Sequence, residues 1–191
     1  MGKERTVFIS CGIFKAELEH LASTGRFDGQ VIFLDAALHV NFDKLKMRLE
    51  EALSEVDKAG AGIRVLYGHC HPDIIEILGK YGAEKIRAGN CLEAIIGAEE
   101  ISRLDAEAKT FFLTAGWVNN WENMFAMGRA DFDFDFSSMF RQYKRIIVFD
   151  TGVIPLDDEK IRSFSEYTEL PVERRMISLD HLLDLIKAIG D

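Results

Sequence analysis

The sequence is poor in proline and cysteine, with three of each among 191 residues. With so few prolines and a hydrophobic content of 48%, the chain can bury a substantial core, and disorder is not expected. An odd number of cysteines does not pair off into a disulfide framework. The composition therefore favours free thiols or metal ligands.

Long apolar runs and an excess of positive charge are both missing. No run approaches the ~20 residues that a membrane span requires, and residues 1–5 contain no signal-peptide core. The net charge of −9 argues against nucleic acid as a partner, because such binding depends on clustered Lys and Arg. We therefore expect a cytoplasmic protein with neither a membrane nor a nucleic-acid partner.

Several sequence motifs are also absent. There is no G-x-G-x-x-G, no P-loop and no Ser/His/Asp order, so no motif indicates nucleotide-dependent or serine-hydrolase chemistry. There is also no C-x-x-C pair, and neither a zinc ribbon nor a ferredoxin motif applies.

What the chain does contain is a repeated alternation of short apolar runs with helical apolar stripes. The strand-like runs are Thr6–Ser10, Val31–Leu34, Ile63–Tyr67, Lys85–Ala88, Thr110–Thr114, Arg145–Phe149 and Val172–Ile177. Helical patterns follow most of them, the longest from about Cys91 to Leu104, and Asn41 or Asp43 is a candidate helix cap. Strands that are apolar on both faces and separated by helices indicate a parallel sheet covered on both sides. We predict one α/β domain over residues 1–191, a three-layer α/β/α sandwich with a mostly parallel sheet.

One segment departs from this pattern. Asp131–Phe136 alternates strictly between aspartate and phenylalanine inside a helical stretch. It is interpreted as an edge strand or an extended loop that docks its phenylalanines on the body, and the alternative is a lid or a dimer contact.

Each of the three cysteines stands where a predicted strand gives way to a helix. In parallel α/β sheets, ligands bind outside the carboxyl ends of the strands, so Cys11, Cys70 and Cys91 are expected to converge on one point. A helix N-terminus lowers a thiol pKa, which predicts partial thiolate character at neutral pH. Three thiolates suit Zn²⁺ with an open fourth position, or an iron–sulfur cluster with one iron left free. The alternative is that each cysteine packs as a small apolar residue.

Histidines accompany the cysteines. His69 and His71 flank Cys70, and in an extended segment they would share one side with Cys70 on the other. One of them could complete a Cys₃His site. His39 follows the second predicted strand. For each, the alternative is a loop histidine bonded to backbone.

Two further strand ends carry candidate pocket residues. Thr114, Gly116 and Trp117 follow the fifth predicted strand, and Asp150 closes the sixth. We expect these residues and His39 to form the walls of one pocket at the cysteine edge of the sheet. Trp117 would supply an apolar face, and Asp150 could accept a proton or orient a histidine. Helix capping is the alternative for Asp150.

These residues together resemble an uncharacterised family, domain of unknown function 1638. The segments that carry the resemblance are Cys11-Gly12-Ile13-Phe14, Leu38-His39, Tyr67-Gly68-His69-Cys70, Asn90-Cys91 and Leu113-Thr114-Ala115-Gly116-Trp117. The resemblance implies a cytoplasmic protein of methanogens or other anaerobes with a thiolate site. It also implies a link to corrinoid-dependent methyltransferases, so a corrinoid or methyltransferase protein is a candidate partner.

Two classes of function remain open. The first is a metalloprotein, zinc or iron–sulfur, that acts on or binds a small molecule in one-carbon or corrinoid metabolism. The second is a metal-free binding or accessory module whose thiols line a pocket, with one thiol activated by His69 or His71.

Overall fold

The computed structural model describes residues 6–123, 125–126 and 136–189. Apart from the backbone of Phe136, the alternating segment Asp131–Phe136 lies outside the described residues. Its role stays a prediction.

Strands and helices alternate along the described chain. The strands are β1 Thr6–Cys11, β2 Gln30–Leu34, β3 Gly62–Leu66, β4 Glu84–Lys85, β5 Thr110–Thr114, β6 Arg145–Asp150 and β7 Val172–Met176. The helices are α1 Lys15–Ser23, α2 Phe42–Lys58, α3 Ile74–Gly79, α4 Cys91–Ile96, α5 Ala98–Glu107, α6 Ala115–Val118, α7 Phe136–Phe140, α8 Asp158–Thr168 and α9 Asp180–Ala188. Short 3-10 helices follow β1 and β2, at Gly12–Phe14 and Ala36–Val40. All strand pairs are parallel, and the predicted α/β/α class is confirmed.

The strands form two sheets rather than one. The first has the order β2-β1-β3-β4, and the second has the order β5-β6-β7. The chain accordingly divides into two compact units, one containing residues up to Ile95 together with α9, and the other spanning Ile96–Leu179. Because two compact units can belong to one domain or to two, the single domain remains a prediction.

The first unit is built on β1, which pairs with β2 on one side and β3 on the other. Helix α2 shows why the sequence forms this layer. Asn41 caps it, its side-chain oxygen accepting the Lys44 N–H at 3.1 Å. Leu45 and Leu49 recur at helical spacing and are fully buried, as is Leu53. The capping prediction is therefore confirmed at Asn41.

The second unit has an aromatic core. Its buried rings include three from the segment between β5 and β6, together with one from α8: Trp121, Phe125, Phe140 and Phe164. Phe140 and Phe164 meet edge to face with centroids 5.6 Å apart, and such ring pairs add to the gain from burial.

No helix among the described residues is long and apolar enough to cross a membrane.

The structure departs from the predicted elements in two places. The helix predicted from Cys91 to Leu104 is interrupted at Gly97, whose φ of 90° is not helical, so it becomes α4 and α5. Helix α8 was not predicted, although Asp157 caps it by accepting the Glu159 N–H at 2.9 Å, with Phe164 buried on its inner face.

Candidate thiol site

The three cysteines lie at the carboxyl edge of the first sheet. Cys11 is the last residue of β1, Cys70 follows β3, and Cys91 is the first residue of α4. None forms a disulfide. Burial is the main cause that raises the pKa of Cys11 and of Cys91, and the charges of the neighbouring thiols add to it: Cys70 raises the pKa of Cys11, and Cys11 and Cys70 raise the pKa of Cys91. The three side chains therefore share one electrostatic neighbourhood.

Two glycines allow the cysteine loops to approach each other and the neighbouring strand. A Cβ on Gly68 would stand 2.4 Å from the Asn90 Cα, and the next residue along, His69, donates its N–H to the Gly89 carbonyl at 2.7 Å. Gly12 has the same role beside Cys11, since a Cβ there would lie 2.8 Å from the Leu34 carbonyl oxygen. Only glycine permits backbone contact this close.

The Cys91 loop is held by a reciprocal cap. Asn90 accepts the Glu93 N–H at 2.9 Å, and Glu93 accepts the Gly89 N–H at 2.7 Å and the Asn90 side-chain amide at 3.0 Å. This arrangement is a capping box, and it fixes Cys91 at the first position of α4.

Tyr67 is a site residue that the sequence analysis did not identify. Its side chain is 2% exposed, and its hydroxyl lies beside the Cys11 thiol without a well-formed hydrogen bond to any described residue. Burial, followed by the charges of Cys11 and Cys70, raises its pKa. A buried hydroxyl without a partner costs stability, so its place beside the thiols marks the cluster as polar and incompletely satisfied. The sequence feature that could have identified Tyr67 is its position three residues before Cys70.

Lys85 is the second residue that the sequence analysis missed. Its ammonium donates to the carbonyls of Ile86 at 2.8 Å and Ala88 at 3.0 Å, which holds it at the end of β4. Burial lowers the pKa of Lys85. Burial raises the pKa of Cys70, and the charge of Lys85 opposes part of that rise. The site therefore contains a cation near a thiol.

The predicted thiolate character at neutral pH is wrong for the metal-free protein. Burial raises the pKa of Cys11 from 9.0 to about 11 and that of Cys91 from 9.0 to about 12, and it also raises the pKa of Cys70. A helix N-terminus favours the thiolate, whereas desolvation disfavours it. Desolvation is the larger effect, because the low-polarity surroundings penalise the anion.

The thiols do not form a closed metal site as they stand. Among the described residues, no group of three or more His, Cys, Asp or Glu side chains has an arrangement that could hold a metal ion. The three thiols are chemically suited to a soft metal. Their present arrangement, however, is not that of a coordination shell.

The two histidines beside Cys70 have different surroundings. The chain bends at both residues, so the condition of an extended segment, under which the two histidines would share one side, is not met. His69 is exposed, whereas His71 is 5% exposed, with its Nδ1 accepting the Asp73 N–H at 3.0 Å and its ring against Phe42. His39 is exposed in the 3-10 helix after β2, where its Nδ1 lies 2.5 Å from the Ala36 carbonyl oxygen. Two of the three imidazoles therefore have backbone partners.

Three of the other predicted pocket residues follow β5, in the second sheet. Thr114 is buried at the end of β5, and Gly116 lies in α6 beside Ile154. The ring of Trp117 packs against the aromatic core of that unit, with centroids 5.6 Å from Phe125 and 5.7 Å from Phe164. The expected single sheet edge is thus divided between two sheets, because β5 pairs with β6 and not with β4.

Asp150 also belongs to the second sheet. It is 2% exposed, and one carboxylate oxygen accepts the Gly152 N–H at 2.8 Å while the other accepts the Arg174 Nε–H at 2.8 Å. One bond closes the turn after β6, and the other ties the end of β6 to β7. Both oxygens therefore have structural partners. The helix-capping alternative is wrong, because the next helix begins at Asp158 and is capped by Asp157.

A cavity of about 320 Å³ opens at the end of β2. Its walls come from the end of β2, the 3-10 helix after it and the first turns of α2: Phe33, Leu34, Asp35, Leu38, Lys44, Met47 and Arg48. Leu34 is the register partner of Cys11. The charge of Asp35 also contributes to raising the pKa of Cys11. The cavity therefore lies at the end of the strand next to Cys11.

Comparison with known proteins adds a family but no activity. No curated protein matches the chain. Among solved structures, ornithine carbamoyltransferase from Pyrococcus furiosus aligns with 91% of this chain at 11% identity and a TM-score of 0.27. The chain spans 55% of that protein, and a likeness this weak supports no statement about function. The family model described as Protein of unknown function (DUF1638) matches residues 33–186, which include two of the three cysteines, and the chain belongs to that family.

Proposed function

We propose that the thiol cluster binds a soft metal centre, Zn²⁺ or an iron–sulfur cluster, with Cys11, Cys70 and Cys91 as its ligands. The observation that supports this most is that three free thiols, coupled electrostatically to one another, lie with the buried Tyr67 hydroxyl at one sheet edge. Three soft donors in one place are the set that zinc and iron–sulfur clusters prefer.

The raised thiol pKa values are compatible with this proposal. Ligation requires thiolates, and a cation compensates the desolvation and mutual repulsion that now disfavour them. Metal binding would therefore release protons. Lys85 would offset part of the remaining negative charge beside Cys70.

Binding also requires the thiols to move closer together. Cys70 lies in the turn between β3 and α3, and Cys91 lies at the start of a six-residue helix, so both can shift without disturbing a strand. Cys11 ends the central strand β1 and would act as the fixed ligand.

Three protein ligands leave one coordination position for a small molecule. The family resemblance suggests a substrate from one-carbon or corrinoid metabolism and a corrinoid or methyltransferase protein as partner. A cytoplasmic location would keep the thiols reduced and available.

The test is elemental and acid-labile sulfide analysis of the full chain purified without oxygen. The proposal expects close to one Zn per chain, or iron and sulfide in cluster proportions. Cys11→Ser, Cys70→Ser and Cys91→Ser should each lose most of the metal. His20→Ala and His181→Ala are matched controls on helices outside the cluster, and they should retain it.

The metal-free module is the second candidate, favoured by the absence of a closed ligand group among the described residues and by the raised thiol pKa values. It expects trace metal only, with no uptake when Zn²⁺ or iron and sulfide are supplied anaerobically. That result would overturn the metal proposal.

A further inference from the structure

The cavity at the end of β2 combines apolar walls with two cations. Phe33, Leu38 and Met47 provide the apolar surface. Lys44 and Arg48 stand four residues apart on α2, so their side chains rise from the same helix face. They are the two cations of the cavity wall.

The two cations differ in what they already bind. Arg48 is paired with Glu51 at 2.8 Å, one turn further along α2. The Lys44 side chain has no ion pair or hydrogen bond within the described part of the chain. The one carboxylate of the cavity wall, Asp35, already accepts the Ala37 N–H at 2.8 Å. Lys44 is therefore the cation available to a ligand.

The volume suits a small molecule. Ligand pockets commonly measure about 300–1,000 Å³, and this cavity holds about 320 Å³. That size fits one small organic ligand and excludes a folded partner.

We infer that the cavity binds a small organic anion, with the Lys44 ammonium on its carboxylate, sulfonate or phosphate group and its apolar part against Phe33, Leu38 and Met47. Because Leu34 lines the cavity and is the strand neighbour of Cys11, this ligand would bind one strand away from the thiol. That second part rests on the proposed function, because it makes the anion the small molecule presented to the thiol site.

The binding test compares two fluorescent probes of similar shape. 1-Anilinonaphthalene-8-sulfonate is anionic, and N-phenyl-1-naphthylamine is neutral. Lys44→Gln should weaken binding of the sulfonate about two- to fivefold, as expected for one exposed charge contact, and should leave binding of the neutral probe unchanged. Lys58→Gln removes the same charge from the far end of α2 and should change neither.

The outcomes separate cleanly. Equal sulfonate affinity in Lys44→Gln and Lys58→Gln would overturn the role of Lys44. Equal loss of both probes would show that the substitution changes the cavity itself, which also contradicts the proposal. Leu38→Ala should weaken both probes, and unchanged affinity would refute the apolar wall.

The link to the thiols is tested by alkylation. Saturating sulfonate probe should slow iodoacetamide labelling of Cys11, followed by mass spectrometry, and Lys44→Gln should abolish this protection at the same probe concentration. An unchanged labelling rate would separate the cavity from the thiol site. The metal content of Lys44→Gln should equal that of the unmodified protein. If the unmodified protein binds the probe but contains no metal, the cavity proposal stands and the metal-centre proposal fails.

Discussion

At the residue scale, burial decides the chemistry of the thiol cluster. A helix start and a nearby ammonium both favour a thiolate, yet the pKa values of Cys11, Cys70 and Cys91 are all raised. The reason is that losing water around the anion raises the pKa by more than one or two N–H contacts lower it. Without a bound metal ion, the three cysteines are protonated thiols at neutral pH.

This state predicts a specific pH dependence of stability. Because the folded-state pKa of Cys11 is raised from 9.0 to about 11, its contribution to stability is fully present below pH 9 and is lost as the pH rises through about 11. In metal-free protein, urea midpoints should fall over this window. Cys11→Ala removes the buried thiol and should show a smaller fall. Parallel curves for the two proteins would contradict the assignment.

The bonds of Asp150 indicate a structural carboxylate rather than a functional one. Asp150→Asn weakens the bonds to Arg174 and Gly152, and we expect it to lower the free energy of unfolding by about 1–3 kcal/mol. Chemical unfolding monitored by circular dichroism measures the loss. Metal uptake and thiol labelling should not change. Asp158→Asn, on the exposed first turn of α8, is the control and should be near neutral.

At the element scale, the site depends on how closely two loops approach. The turn after β3 and the turn before α4 meet at Gly68, where the Asn90 backbone occupies the space that a side chain would need. The capping box of Asn90 and Glu93 then fixes the direction of α4. The positions of Cys70 and Cys91 follow from these backbone contacts.

Gly68→Ala should therefore force the two loops apart. We expect a loss of about 1–3 kcal/mol in the free energy of unfolding, typical of overpacking, with faster alkylation of Cys70 and Cys91. Gly79→Ala is the matched control, because a Cβ there meets nothing within 4 Å. It lies in α3 and should be neutral or slightly stabilising. Equal effects of the two substitutions would show that the loops have room to move.

At the scale of the whole molecule, the chain leaves the first unit and returns to it. After Leu179, helix α9 rejoins the unit that holds the thiols. Arg26 pairs with Asp180 at 2.5 Å, and Leu182, Leu183 and Ile186 are buried. The thiol unit is therefore assembled from two separate stretches of sequence.

Substitutions in α9 should consequently be felt at a distance in sequence from the cysteines. Leu182→Ala should cost about 2–5 kcal/mol, as large-to-small changes in a core do, and should increase the alkylation rate of the buried Cys11. Lys187→Ala on the exposed face of the same helix should do neither. Thermal unfolding and mass-spectrometric labelling check both. Loss of stability with no change at Cys11 would mean that local opening at the thiols is independent of α9.

The sequence by itself determined the class of fold and most strand positions, because buried parallel strands leave continuous apolar runs such as Val31–Leu34 and Arg145–Phe149 that local pattern reveals. It also placed the cysteines at strand ends. Only tertiary structure decided that the strands divide into two sheets, which separates Thr114, Trp117 and Asp150 from the sheet of the cysteines. An apolar run in the sequence does not specify which other strand it pairs with. Likewise, only the folded surroundings of Tyr67, Lys85 and the three thiols set their protonation, since desolvation depends on atoms far apart in sequence.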